Sequence, residues 1–370
     1  MRIIFGILLL LLLNNINAQY IIISELTELN QQIEETSGLI FFDGRLITLN
    51  DSGNPPYLYE IDTINGDILR TVTISNATNV DWEDIAQDSL YIYIADIGNN
   101  SGDRTDLKIY RISKSDYIFN NSIMADTISF VYNNQTDFSS NYHNTEFDAE
   151  ALSVYNDSLI IFMKDWVNNT TRTYTLPKIP GNYTAFEKNS YNCNGLITGS
   201  GYNSNTNTFM LCGYTDNLTP FIVNLSNFSN NNVFSGTNNK IEIIDSIGAS
   251  QVEGICYENN DFFLSRENFT YQTTVIEQML FKGIFSDNSL TIHNFNNSEI
   301  RIMPNPAHNY LSVNIDINRI SNLQIFDTIG RKIKTKINNK IIDISRLENG
   351  IYILILELNN TVKKYKFIKI

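Results

Sequence analysis

Histidine, cysteine and tryptophan are all scarce in these 370 residues, which hold three His, three Cys and two Trp. With only His143, His293 and His308 available, a Ser-His-Asp hydrolase or a His-rich zinc site has almost no material. Cys193, Cys212 and Cys256 are too few for a disulfide scaffold, although one bridge is permitted outside the cytoplasm. Positive charge is also short, with 26 Lys and Arg against 40 Asp and Glu and a net charge of −14. The deficit is uneven. Residues 300–370 contain 12 Lys/Arg and 5 Asp/Glu, which leaves 14 against 35 upstream. So acidic a body argues against nucleic acid, which demands a basic face. It suits divalent cations, whose ligands are carboxylate and carbonyl oxygens, and it serves plain solubility equally well. After the N-terminus no segment approaches the roughly 18 apolar residues of a membrane-spanning helix.

The N-terminus itself has the makings of a signal peptide. Arg2 supplies the positive charge, Ile3 to Leu13 a short apolar run, and Asn17-Ala18 before Gln19 a small-residue cleavage site. Residues 1–18 are therefore expected to be removed. The mature protein is expected outside the cytoplasm, without a transmembrane segment.

Strand signals dominate the chain after residue 20. Short β-branched and aromatic runs such as LITLNDSG, LYIYIADIGNN and DFFLSREN alternate with Asn, Asp, Gly and Ser turns. No amphipathic helix of three turns interrupts them. Continuous β patterning of this length implies a closed or radially repeated architecture, since an open sheet would leave long edges. A degenerate repeat agrees. Glu35-Thr-Ser-Gly-Leu leads to Asn50-Asp51, Glu83-Asp-Ile-Ala to Asp96, Glu150-Ala-Leu to Lys164-Asp165, and Glu253-Gly-Ile to Arg266-Glu267. Gly195-Leu-Ile-Thr-Gly leads to Cys212-Gly213-Tyr214 without the acid. Such spacing predicts a β-propeller of five or six blades over residues 19–295. Six is preferred, because the chain after Gln278 can close the ring with a strand near Tyr20 to Ser24. Residues 296–300 form a linker, and a small antiparallel β-sandwich occupies 301–370.

The tail residues carry a resemblance. Pro304-Asn305-Pro306 opens the first strand, Phe326-Asp327 stands ahead of Gly330, and Asp343-Ile344-Ser345 precedes Leu347. Gly350-Ile351-Tyr352 turns into a strand, and Lys366-Phe367-Ile368-Lys369 ends the chain. In this order they resemble the type A C-terminal sorting domain of type IX secretion cargo, with Met303 where an aromatic is usual. The resemblance implies export through the periplasm, partnership with the type IX machinery, release or attachment at the cell surface, and a Bacteroidetes-like source.

The body resembles, more loosely, the propeller families called SdiA-regulated and esterase-like phytase proteins. The residues concerned are Glu35-Thr36-Ser37-Gly38-Leu39, Asp81-Trp82-Glu83-Asp84-Ile85-Ala86, Asp148-Ala149-Glu150-Ala151-Leu152 and Gln251-Val252-Glu253-Gly254-Ile255. A glutamate recurring before each innermost strand would ring one mouth of the central channel. Carboxylates held that close raise each other's pKa unless a cation neutralises them. The candidate ligand site is Glu35, Glu83, Glu150 and Glu253, with Asp51, Asp96, Lys164, Arg266 and Glu267 around it. Calcium is the candidate cofactor, held by the four glutamates. The competing reading has the same acids accept backbone N–H bonds that lock blade to blade.

Weaker candidates are Asp96-Ile-Gly98-Asn99-Asn100 with Asp103-Arg104 as a calcium loop or a polar turn, His143 with Glu146 as an acid/base pair, and Trp82 and Trp166 as stacking or core residues. Asp62-Thr63-Ile64, Asp88-Ser89-Leu90, Asp126-Thr127-Ile128, Asp157-Ser158-Leu159 and Asp245-Ser246-Ile247 resemble Bacteroidetes O-glycosylation acceptors and are also good turn chemistry. A hairpin turning at Tyr202-Asn203 would set Cys193 opposite Cys212, a predicted disulfide. Three functions stay open. A secreted or surface-displayed binding protein with a small-molecule or surface ligand at the mouth comes first. A metal-dependent phosphoester or ester hydrolase comes second, and a structural or adhesive module third.

Overall fold

The computed structural model describes residues 20–271, 274–286, 302–303, 305–313, 320–327, 331–333, 337–338, 341–358 and 361–370. The expected signal peptide, the 296–300 linker, His293, Pro304 and Gly330 lie outside the described residues. The chain divides into two units, Met1–Ser289 and Leu290–Ile370.

In the first unit each apolar run becomes one strand of an antiparallel meander, because Asn, Asp and Gly between the runs supply the turns. β1 (Tyr20–Glu28) comes first and is used last. β2 (Thr36–Phe42), β3 (Arg45–Asn50), β4 (Tyr57–Ile61) and β5 (Ile68–Ile74) make the first blade. β6 (Trp82–Gln87), β7 (Tyr91–Asp96) and β8 (Lys108–Ser113) start the second. The short β9 (Ser122–Ile123) returns to the edge of β5 before β10 (Asp126–Tyr132) completes that blade. The third is β11 (Asp148–Tyr155), β12 (Ser158–Lys164), β13 (Thr171–Pro177) and β14 (Gly181–Tyr191). β15 (Leu196–Asn203), β16 (Thr208–Tyr214), β17 (Pro220–Ser226) and β18 (Thr237–Glu242) form the fourth. The fifth has β19 (Val252–Glu258) and β20 (Asp261–Arg266), then a small hairpin of β21 (Phe269–Tyr271) and β22 (Thr274–Ile276), then β23 (Met279–Ser286). β1 pairs with β23 from Tyr20 opposite Ser286 to Glu28 opposite Met279. A parallel pairing of β10 with β14 joins the second and third blades into one eight-stranded sheet.

The innermost strands β2, β6, β11, β15 and β19 adjoin one another in turn, and β19 returns to β2. Among the described residues of this unit the buried apolar side chains fall into five clusters, one at each blade interface. Ile47 and Leu58 meet Trp82 and Ile94 between blades one and two; Tyr93 and Ile109 meet Leu152 and Tyr174 between two and three. Phe162 meets Phe209, Met210 meets Phe262, and Phe263 meets Leu39 across the remaining three. The propeller therefore has five blades. The preferred count of six is overturned, although the closure that suggested it exists: β1 is the fourth strand of the fifth blade rather than part of a sixth.

The channel is shut at its waist by Asp84. From β6 its Oδ2 reaches across the axis to accept the backbone N–H groups of Leu152 (2.7 Å) on β11 and Ser200 (3.2 Å) on β15. A Cβ on Gly38 of β2 would overlap Asp84, so that position has room only for glycine. Beyond the waist, toward the C-terminal ends of the inner strands, lies a cavity of about 70 Å³ bordered by Ser153, Ser200 and Tyr257.

The second unit stacks two four-stranded sheets. One contains β24 (Ile302–Met303) and β25 (Tyr310–Val313); the other contains β26 (Ile320–Asp327) and β27 (Lys332–Ile333). β28 (Ile337–Asn338) and β29 (Ile341–Asp343) complete the first sheet, and β30 (Gly350–Leu358) and β31 (Thr361–Lys369) the second. Leu311 and Ile342 from one sheet pack on Ile325, Leu354 and Phe367 from the other. Asn305 binds the last strand through its side chain, donating to the Lys366 carbonyl (3.2 Å) and accepting from the Ile368 N–H (2.9 Å).

Candidate functional site

Every innermost hairpin carries a β-bulge at one height. Pairing skips between Thr36 and Leu39, Trp82 and Asp84, Ala149 and Ala151, Ile197 and Gly199, and Val252 and Gly254. The residues left over are Ser37-Gly38, Glu83, Glu150, Thr198 and Glu253. A bulge re-aims its side chain, and three of these five bulges thus present a buried glutamate at the same mouth. On the partner strand the two-residue period decides what joins them. Asn50, Asp96, Met163, Gly213 and Arg266 share the row opposite Thr36, Trp82, Ala149, Ile197 and Val252. The next row, Asp51, Ile97, Lys164, Tyr214 and Glu267, supplies the mouth.

Six of the nine expected site residues come together: Asp51, Glu83, Glu150, Lys164, Glu253 and Glu267. Lys164 Nζ sits 2.9 Å from Glu150 Oε1. Burial opposes its charge, but Glu150, Tyr214 and Glu253 hold its pKa well above the usual value. Asp81 and Asp148, each two residues ahead of a bulge glutamate, complete the cluster. Seven carboxylates thus surround one ammonium group. Burial, aided by like charge, pushes the pKa of Asp51, Glu83 and Glu253 well up. For the same reasons Asp81 is raised to about 6, and Asp148 and Glu267 to about 7.

At one corner three carboxylates approach closely. Ligand oxygens of Asp51, Asp81 and Glu83 all lie within 4.8 Å of one another. Oxygens on opposite sides of a calcium ion are at most about 5.2 Å apart, so the three can share one ion. Glu83 is 2% exposed, and among the described residues its Oε1 finds no hydrogen-bond partner. Gly98 makes room for it, since a Cβ there would strike both Glu83 and Asp81.

Three expected residues border the cluster without joining it, and of these Asp96 accepts the backbone N–H of Asp81 (3.2 Å). Glu35 is exposed and bonds to Asn54, because the repeat aligns on the bulge and not on the acid: the counterpart of Glu83 in the first blade is Ser37. Arg266, on the other register row, turns away to the carbonyls of Glu277 (2.9 Å) and Ile247 (3.4 Å). Asp96, in that same row, is paired with Arg104 at 2.8 Å. The Asp96–Arg104 segment is a turn that closes on itself, and it also supplies the Asn99 N–H to Asp148 (2.7 Å). His143 does not pair with Glu146, whose carboxylate meets Arg172 and Asn168. Trp82 is core, while Trp166 donates Nε1–H to Asp148 at the mouth (2.7 Å). Asp62 and Asp88 accept the N–H groups of Ile64 and Leu90 two residues on, the turn geometry their triplets favour.

The expected disulfide does not form; Cys193, Cys212 and Cys256 are buried free thiols. Residues Ser204 to Asn207 make the turn, so Cys212 faces Gly199, and Cys193 lies before the strand begins. Cys193 Sγ meets the Gly195 carbonyl instead.

Residues 301–370 match the family described as the secretion system C-terminal sorting domain. The protein is accordingly a cargo of the type IX machinery, exported and either secreted or attached to the cell surface. Among the described residues no helix is long and apolar enough to cross a membrane. No curated protein sequence matches the chain. Among solved structures, a Bombyx mori GH32 β-fructofuranosidase is similar at 8% identity and a TM-score of 0.42, over 92% of this chain and 79% of that one. An exo-β-1,3-galactanase from Phanerochaete chrysosporium is similar at 14% identity and a TM-score of 0.35, over 80% of this chain and 64% of that one. A chain of the mitotic checkpoint complex is similar at 11% identity and a TM-score of 0.34, over 68% and 75%. Nothing about activity follows from likenesses at this level.

Proposed function

We propose that the exported body is a cation-dependent binding protein, with calcium held by Asp51, Asp81 and Glu83 at the acidic mouth of the five-bladed ring. The observation that carries this reading is Glu83 Oε1, buried, unpartnered and within one coordination sphere of two further carboxylates. A buried acceptor left without a donor costs about 1–3 kcal/mol, and a divalent ion removes that cost while neutralising like charges. Lys164 does not do so: its ammonium sits on Glu150, and no hydrogen bond joins it to Glu83 Oε1. Asp51 and Asp81 are only half-buried, which leaves the ion's outer side open to a ligand arriving from the rim. The waist sealed by Asp84 makes the mouth a blind end, suited to capture rather than passage.

Calorimetric titration of EDTA-stripped protein with calcium chloride tests this. One site is expected, with affinity rising from about pH 5 to pH 8 as protons leave the carboxylates. The isosteric Glu83→Gln substitution removes one charged ligand and weakens binding about tenfold or more. A blank titration of the wild type, or equal affinity in the variant, refutes the reading.

A further inference from the structure

Beside the carboxylates stands a column of rings that the cation does not need. Tyr142 stacks on His143 with centroids 3.8 Å apart and planes at 22°, and His143 stacks on Trp166 at 3.9 Å and 14°. Lys164 Nζ lies over the Trp166 ring, 4.9 Å from its centroid. The column therefore touches the mouth through two members of the cluster: Lys164 over the Trp166 ring, and Asp148 accepting the indole N–H. Its outer end is free, with Tyr142 69% exposed.

The backbone is arranged to present these rings. His143 has φ +54°, a left-handed conformation uncommon for a residue with a side chain. It is pinned there by its N–H to the Asn100 carbonyl (2.9 Å), beside the Asn141 N–H to the Ser101 carbonyl (2.8 Å). Burial and the nearby Lys164 lower the His143 pKa, so the middle ring is neutral at physiological pH. A strained turn that holds a flat aromatic face out in water gains little for stability, and such strain clusters at binding sites.

We propose that this column is a platform for a neutral oligosaccharide, one ring stacked on the exposed face of Tyr142 and the units beyond it reaching the mouth. The choice of ligand follows from the surrounding chemistry and rests on the cation reading above. Carboxylates only accept hydrogen bonds, so the ligand must be rich in donors; this disfavours phosphate-bearing molecules. Organic cations also donate and are the competing outcome of the test, but a linear polyamine offers no flat face to cover the ring of Tyr142. Sugar hydroxyls can donate to carboxylates and also ligate calcium, while the apolar C–H face of the ring covers the aromatic one.

The test uses the full body with calcium present and a panel of neutral polysaccharides: a β-glucan, a xylan, a mannan and a galactan. Affinity electrophoresis reports binding. Tryptophan fluorescence localises it, because of the two tryptophans Trp82 is sealed in the core and Trp166 belongs to the column. At least one polysaccharide is expected to retard the protein and change its fluorescence. Tyr142→Ala should weaken this about tenfold or more, and Tyr142→Phe should retain it. Tyr142 is exposed, so neither substitution threatens folding. The proposal is overturned if calcium binds and no polysaccharide does, if Tyr142→Ala binds like wild type, or if spermine and not sugar gives the Tyr142-dependent signal. Sugar binding that depends on Tyr142 in a protein blank for calcium would uphold the platform and refute the cation reading alone.

Discussion

At the scale of single residues, Asp84 contributes most to holding the ring together. It is fully buried, and its Oδ2 ties three blades across the axis. Asp84→Ala would orphan the Leu152 and Ser200 N–H groups, each at about 1–3 kcal/mol. Urea denaturation should therefore show a loss of several kcal/mol, and a variant as stable as the wild type would disprove the keystone role. The sequence displays Asp84 only as an extra acid beside Glu83, because nothing local distinguishes a residue that reaches across a channel from one that lines it. Arg266 and Glu267 teach the same point. Both are charged neighbours at a strand end, and only the register, set by a bulge 13 residues earlier at Glu253, decides which side chain enters the mouth.

At the scale of elements, the hairpins were legible and their bulges were not. Alternating apolar runs and Asn/Gly turns locate all five inner hairpins, and the recurring acid marks three of the bulges. A bulge leaves no composition signature, so the first blade is misaligned by two residues and Glu35 is taken for Ser37. In the fourth blade, placing the turn at Tyr202-Asn203 rather than Ser204 to Asn207 shifts the strand register and creates a disulfide that the fold forbids. Thiol titration of the unfolded, unreduced protein should accordingly find three reactive groups. One reactive group would restore the bridge.

At the scale of the whole molecule, the acidic mouth makes stability depend on pH. Asp148 and Glu267 titrate at about 7 when folded, against about 4 in an unfolded chain. Between those values the folded state keeps protons that the unfolded state has released. The contribution of these two groups is thus full below about pH 4 and is lost as pH rises through 7. In EDTA the melting temperature should be higher at about pH 5 than at pH 8, and calcium should restore the value at pH 8. A melting temperature that climbs with pH in EDTA would contradict this. The ring's closure has a different kind of consequence, one of timing. Tyr20 pairs with Ser286, 266 positions later, so the first strand of the body must wait for the body's last. Contacts of such separation form slowly, and no shorter nascent chain can supply the missing edge. The body consequently stays unlatched and threadable until its synthesis is complete, and a single strand pairing then fastens the circle.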